Sequence, residues 1–267
     1  MATKSALLSV AAGFVAEVQQ MLEESHNSEI QMHVYPNMEP EMSKIAVMSL
    51  LRNSVIKSRC LRVNYNSVTK ELALVASCNV FNTLFRWIRF EIRSSFLSET
   101  LTLEEMGELE VKCGATLAGF TAPYQDSAKA PDVSIRPKRM GFPTIVIQTG
   151  WSEALPMLMA DKELWITGAP QTTKLVLLVV WKRLVDNKLE AALLAFRPGK
   201  PRETYSIFPA TGAGSAADDI LISRNELFGD AIPANSNPRA IFTLSIARLR
   251  NVAEGQIRAN GYIPVGP

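Results

Sequence analysis

The sequence has little of what most catalytic motifs require. Only two histidines occur, His26 and His33. Neither lies near a nucleophile motif, so Ser-His-Asp and Cys-His hydrolase arrangements drop out. The three cysteines, Cys60, Cys78 and Cys113, form no CxxC pair. That excludes a recognisable zinc motif, argues against a disulfide framework and favours a reducing intracellular compartment, cytoplasmic or nuclear. No GxGxxG and no GxxxxGKS/T is present, which removes the common nucleotide-binding motifs. Charge is nearly balanced: a formal net charge of +2 is too small by itself to argue for nucleic acid. Any basic surface must come from local clustering. No uninterrupted apolar run reaches the ~18 residues of a membrane span, so no membrane association is expected.

What remains is an ordinary globular composition, 47% hydrophobic and 20% charged over 267 residues. A chain of this length buries a full core. Near the N-terminus, Leu7, Leu8, Ala11, Phe14, Val15, Val18, Met21 and Leu22 recur at helical spacing, which predicts an amphipathic helix over 3–24. That helix is expected to pack on the body of the chain or on a protein partner. Residues 25–40 are polar and proline-punctuated and read as a linker. The linear division is therefore an N-terminal helix and linker at 1–40, a main domain at 41–255 and a Gly/Pro-rich tail at 256–267.

Within the main domain the pattern predicts a helix over 41–58 and short strands at 61–65 and 71–75. A helix capped by Ser77 or Asn79 follows, running to about residue 96. On that helix Arg86, Arg89 and Arg93 form one row. It reads either as a solvated face or as a phosphate-binding stripe. Further strands are expected at 133–136, 144–149, 174–181, 189–196 and 204–208, with a helix from 152 to about 166. The run 174–181 is almost continuously apolar and β-branched, as in a strand buried on both faces. Helices around a mixed sheet give an α/β core.

The candidate site lies where the first two of those strands meet as a hairpin. Side chains alternate along 144–149, so Val146, Gln148 and Gly150 share one face. Asp132, at the start of the preceding strand, approaches Gln148 across the hairpin. A carboxylate and an amide oxygen both ligate Mg²⁺, the neutral amide being the weaker ligand. Taken alone, Asp132 also reads as a turn or capping aspartate. On the next helix Leu155, Leu158, Met159, Trp165 and Ile166 form an inward stripe, and Lys162 falls within it. A lysine there either snorkels to water or turns toward an anionic centre.

Taken together, Pro131-Asp132, FPTIVIQTGWSEAL (142–155), DKELWI (161–166), TKLVLLVVW (173–181) and NELFG (225–229) resemble fungal members of the PD-(D/E)XK nuclease-like superfamily. The resemblance spans about residues 60–250. It implies a restriction-endonuclease-like core, a mixed central sheet flanked by helices, with a phosphodiesterase site using Mg²⁺ or Mn²⁺ at one sheet edge. It places Asp132 at the metal-binding aspartate, Gln148 at the acidic ligand and Gly150 at the motif lysine. Lys162 then stands in for that lysine as the third catalytic residue, and Glu91 is the counterpart considered for a core-helix acid. Two of three signature groups have therefore changed.

Three readings follow. In the first, Asp132 and Gln148 hold the metal and Lys162 stabilises the phosphoryl charge. In the second, the fold has lost catalysis but binds DNA or RNA through Arg136, Lys138, Arg139 and the helical arginines. In the third, the chain is an interaction protein working through its N-terminal helix.

Overall fold

The computed structural model describes residues 4–24, 32–76, 79–210 and 219–266. In chain order it holds α1 (Lys4–Glu24), β1 (Met32–Tyr35), α2 (Pro40–Arg52), α3 (Ser54–Ser58), β2 (Leu61–Asn66), β3 (Glu71–Ala76), α4 (Asn79–Leu97), α5 (Leu103–Glu108) and β4 (Leu109–Lys112). Next come β5 (Leu117–Ala118), β6 (Ala128–Lys129), β7 (Val133–Pro137), β8 (Ile145–Trp151), α6 (Leu155–Gly168), β9 (Leu175–Arg183), β10 (Lys188–Phe196) and β11 (Glu203–Phe208). The chain ends in β12 (Ile220–Ser223), α7 (Arg224–Phe228), β13 (Ile241–Leu244), α8 (Ile246–Ala259) and β14 (Ile263–Pro264). It forms two compact units that interleave in sequence. One comprises 1–78 with 114–130, the other 79–113 with 131–267.

The first unit is an antiparallel sheet, order β1-β3-β2-β6-β5, covered by helices. Its core joins Val18 and Leu22 of α1 to Ala46, Val47 and Leu50 of α2 and to Val63, Leu72 and Leu74 of the sheet. α1 is long and apolar enough, by length and composition alone, to cross a membrane. Here it buries Ala11, Val18 and Leu22 while Leu8 and Val10 stay exposed. The single helix expected over 41–58 is broken at Asn53. That residue is extended, and its side chain accepts from the amides of Val55 and Ile56 to cap α3. Part of the expected linker pairs as β1 with β3. The proposed Ser77 cap lies outside the described residues.

The second unit is built on a seven-stranded sheet, order β11-β10-β9-β8-β7-β4, with β14 beside β10. β4, β7 and β8 form an antiparallel meander. α6 then carries the chain to β9, which runs parallel to β8, and β10 returns antiparallel. β8 and β9 are buried along most of their length, as their apolar runs require. Within 256–267, expected as a tail, the described residues complete α8 and add β14. α8 buries Ile246, Leu249, Ala253 and Ile257 along one stripe, and β14 pairs with β10 through Lys188↔Ile263. Even-numbered positions on β8 face α6, since a Cβ on Gly150 would meet Leu158 at 3.2 Å. The odd-numbered Trp151 meets Tyr262 at 6.0 Å, so the chain after α8 lies on the other face.

Buried ion pairs tie this second unit together. Arg224 of α7 donates from Nε to Glu105 Oε1 at 2.7 Å, and both side chains are almost fully enclosed. Glu91 of α4 is also fully buried and takes donors from three directions. Trp87 Nε1 donates at 3.0 Å, the Ser245 amide at the start of α8 at 3.2 Å, and Arg248 Nη2 at 2.8 Å. Glu91 therefore clamps α4 to α8.

Candidate functional site

The β7–β8 register pairs Val133 with Ile147 and Ser134 with Val146. One step further along the ladder sets Asp132 opposite Gln148, as the hairpin reading requires. The side chains then diverge in what they contact. Asp132 Oδ2 accepts from the backbone amide of Thr149 at 2.7 Å, standing in for a ladder hydrogen bond at the strand end. That contact is the cap-like role expected of an isolated aspartate at a strand start.

Gln148 is 3% exposed and faces α6. In the amide orientation its neighbours dictate, Nε2 donates to Asp161 Oδ2 at 3.2 Å and Oε1 accepts from Trp165 Nε1 at 3.2 Å. Both halves of the amide are used. A glutamate in its place can accept from the indole but has no proton for Asp161 unless it is itself protonated. The site is therefore matched to a neutral amide. Asp161, 5% exposed, is a buried carboxylate beside Gln148 that was not among the site residues expected from the sequence. A signal was present: Asp161 falls between Leu158 and Trp165 at helical spacing, on the buried side of α6.

Lys162 is buried along most of its side chain, and its ammonium pairs with Glu163. Its Nζ sits over the Phe196 ring, 5.1 Å from the centroid. The contacts seen for Lys162 are thus with a neighbouring carboxylate and a β10 aromatic, while those of Gln148 are with Asp161 and Trp165. Gly150 leaves room for Leu158 and Ala154 of the connection into α6, so a lysine there would have to displace packed side chains. Glu91, the other acid considered, is saturated by the α4–α8 clamp.

Among the described residues no group of three or more His, Cys, Asp or Glu side chains is placed to hold a metal ion. Mg²⁺ demands near-octahedral oxygen ligation and dehydrates reluctantly. One Asp132 oxygen is engaged by a backbone amide and both Gln148 groups by side chains. The donor set of Asp132 and Gln148 does not fit the ion.

The basic residues divide clearly. Arg136 is held by Glu110 through Nη2 at 2.6 Å and Nε at 3.2 Å, and Lys112 reaches the same carboxylate at 3.0 Å. Hydrogen bonds from Arg136 and then Lys112 hold the Glu110 carboxyl below its ordinary range. Arg139 is 80% exposed with Glu108 at 3.6 Å. It lines a cavity of about 710 Å³ that also presents Glu104, Glu108 and Asp230. Lys138 is exposed beside it. The row on α4 differs: Arg86, Arg89 and Arg93 are exposed, and among the described residues no carboxylate pairs with them.

No family model and no curated protein sequence matches the chain. A solved structure similar in backbone is that of a candidate nuclease belonging to DUF820 from Anabaena variabilis. It is 13% identical, and the match covers 72% of this chain and 90% of that one at a TM-score of 0.40.

Proposed function

We propose that the second unit is a restriction-endonuclease-like module of the PD-(D/E)XK kind that binds nucleic acid and no longer cleaves it. The strand order and directions support the fold: an antiparallel meander, a helix, a parallel strand, then an antiparallel one. One observation carries the loss of cleavage. Gln148, at the acidic-ligand position, spends its amide on Asp161 and Trp165 inside the protein. A buried amide with both ends satisfied has a hydrogen-bond reason to stay an amide. Binding then rests on cations left without internal partners, whose contacts with phosphates are salt-sensitive and largely sequence-blind.

The test is cleavage and binding side by side. The full chain is incubated with plasmid, single-stranded DNA and RNA in Mg²⁺ or Mn²⁺, and Asp132→Ala serves as the blank. The expected result is no cleavage above the Asp132→Ala level, together with salt-sensitive binding in both proteins. Divalent-ion-dependent cleavage that disappears in Asp132→Ala would overturn the proposal. If the cleavage also disappears in Asp161→Asn, Asp161 has supplied the carboxylate missing at Gln148.

A further inference from the structure

Between α4 and the outermost strand β4 lies a groove of about 460 Å³, lined by Phe85, Arg89, Ile92, Arg93, Met106, Leu109 and Val111. Its floor is apolar and its rim is cationic. Going round α4 at 100° per residue, Ile92 and Phe85 come first, then Arg89, then Arg93 with Arg86, then Phe90. A row of guanidinium groups therefore runs between two aromatic positions on one helix face. Arg89 lies over the Phe85 ring at 5.6 Å, which orients its plane, and Phe90 is 53% exposed. Four other arginines of the unit are neutralised at close range: Arg136 with Glu110, Arg197 with Glu226, Arg224 with Glu105 and Arg248 with Glu91. Arg86, Arg89 and Arg93 have no such carboxylate among the described residues, and they stand in register on one helix beside an apolar cleft.

We infer that this α4–β4 groove is a binding site for single-stranded nucleic acid. Phosphodiester groups are taken by Arg86, Arg89 and Arg93, and a base lies on the apolar floor beside Phe85. A cationic track beside aromatic and apolar surface matches single strands, because an unstacked base has a free face to bury. A duplex offers only its phosphates to the same groove, its bases being already stacked and paired. The inference rests on the nucleic-acid-binding reading above and names where, and in which form, the strand is held.

The test uses the full chain and a fluorescein-labelled 20-nucleotide strand, as DNA and as RNA, against the matched duplex, read by fluorescence anisotropy across a salt series. The expected result is tighter binding of the single strand than of the duplex. Arg89→Glu/Arg93→Glu should weaken that binding at least tenfold without changing the thermal midpoint. Arg89→Ala/Arg93→Ala should reduce the log–log salt slope by about 1.4, two contacts at ~0.7 each. Phe85→Leu should weaken single-strand binding several-fold and leave the slope unchanged, since it removes stacking and no charge. Binding that survives the double reversal would overturn the site while leaving the nucleic-acid reading intact. Equal single-strand and duplex affinity would overturn the substrate form. No binding of any nucleic acid by the wild type would overturn both readings.

Discussion

Among the arginines of the second unit are two sets that a residue count cannot tell apart. In one, each guanidinium is met by a carboxylate: Arg224 by Glu105, Arg248 by Glu91, Arg197 by Glu226 and Arg136 by Glu110. These pairs link α7 to α5, α8 to α4, the residue after β10 to α7, and β7 to β4. In the other, Arg86, Arg89 and Arg93 stand on the outside of α4 with no carboxylate among the described residues to meet them. The first population acts as internal cross-links. The second is free to act outward. On the binding proposal, charge in the sequence becomes a binding surface where the fold withholds the counter-charge.

The sharpest way to break this comparison is at the most enclosed pair. Arg224→Ala or Glu105→Ala leaves an uncompensated charge in a site where both side chains are almost fully buried. The expected loss is about 3–5 kcal/mol of stability, read by chemical denaturation. A loss under about 1 kcal/mol would mean that the site admits water and that the division between the two populations is not sharp.

Gln148 extends the same logic to a neutral partner. Gln148→Glu places a carboxylate 3.2 Å from Asp161 and removes the proton the amide supplied. A destabilisation of about 2–3 kcal/mol at neutral pH is expected, from repulsion and a lost hydrogen bond in a buried place. Adding Mn²⁺ should not restore it. Full restoration by Mn²⁺ would show that the two carboxylates had formed a metal site.

Acid provides a milder perturbation. Burial pushes Glu226 up, but hydrogen bonds from the Ser223 amide and hydroxyl and from Arg197 outweigh it, so the net shift is downward. A carboxyl depressed in the folded state contributes stability that is present above its unfolded value and is lost as pH falls through the folded value. Thermal melts should therefore show stability falling below about pH 4.5, the ordinary carboxyl value. Glu226→Gln should lose part of that acid sensitivity. An unchanged acid profile would remove Glu226–Arg197 from the set of internal cross-links.

The smallest effects are expected on the surface. Arg136→Ala should cost at most about 1 kcal/mol of stability, as a half-exposed pair does, and should barely change oligonucleotide affinity. Arg86→Ala should leave stability within about 0.5 kcal/mol while weakening binding. The opposite pattern, with Arg136 controlling affinity and Arg86 inert, would reverse the assignment of the two populations.

Much of this frame was legible in the sequence because it depends on local rules. The β7–β8 hairpin, the helix behind it and the doubly buried β9 follow from alternation, turn residues and a β-branched run. The opposition of Asp132 and Gln148 follows from strand register. What was not legible depends on contacts between distant segments. Residues 114–130 return to the first unit's sheet through Tyr65↔Ala128, which no composition boundary announces. The last residues look like a tail until β14 finds the start of β10. Asp161 shows itself only as one carboxylate among apolar neighbours on α6, and its meaning appears when Gln148 is found against it. The contrast between Arg136 and the α4 row was hidden for the same reason, since Glu110 reaches Arg136 through a strand pairing 26 residues away in sequence.

The most direct test of the proposal that the Asp132–Gln148 site is closed by its own hydrogen bonds is a calorimetric titration of Mn²⁺ into the wild type and Asp132→Ala, with Asp161→Asn in parallel. The expected result is the same weak, non-saturating heat for all three proteins. A single saturable site in the wild type that is lost in both variants would contradict it, because Asp132 and Asp161 would then be holding a metal ion at the place assigned here to a buried amide network.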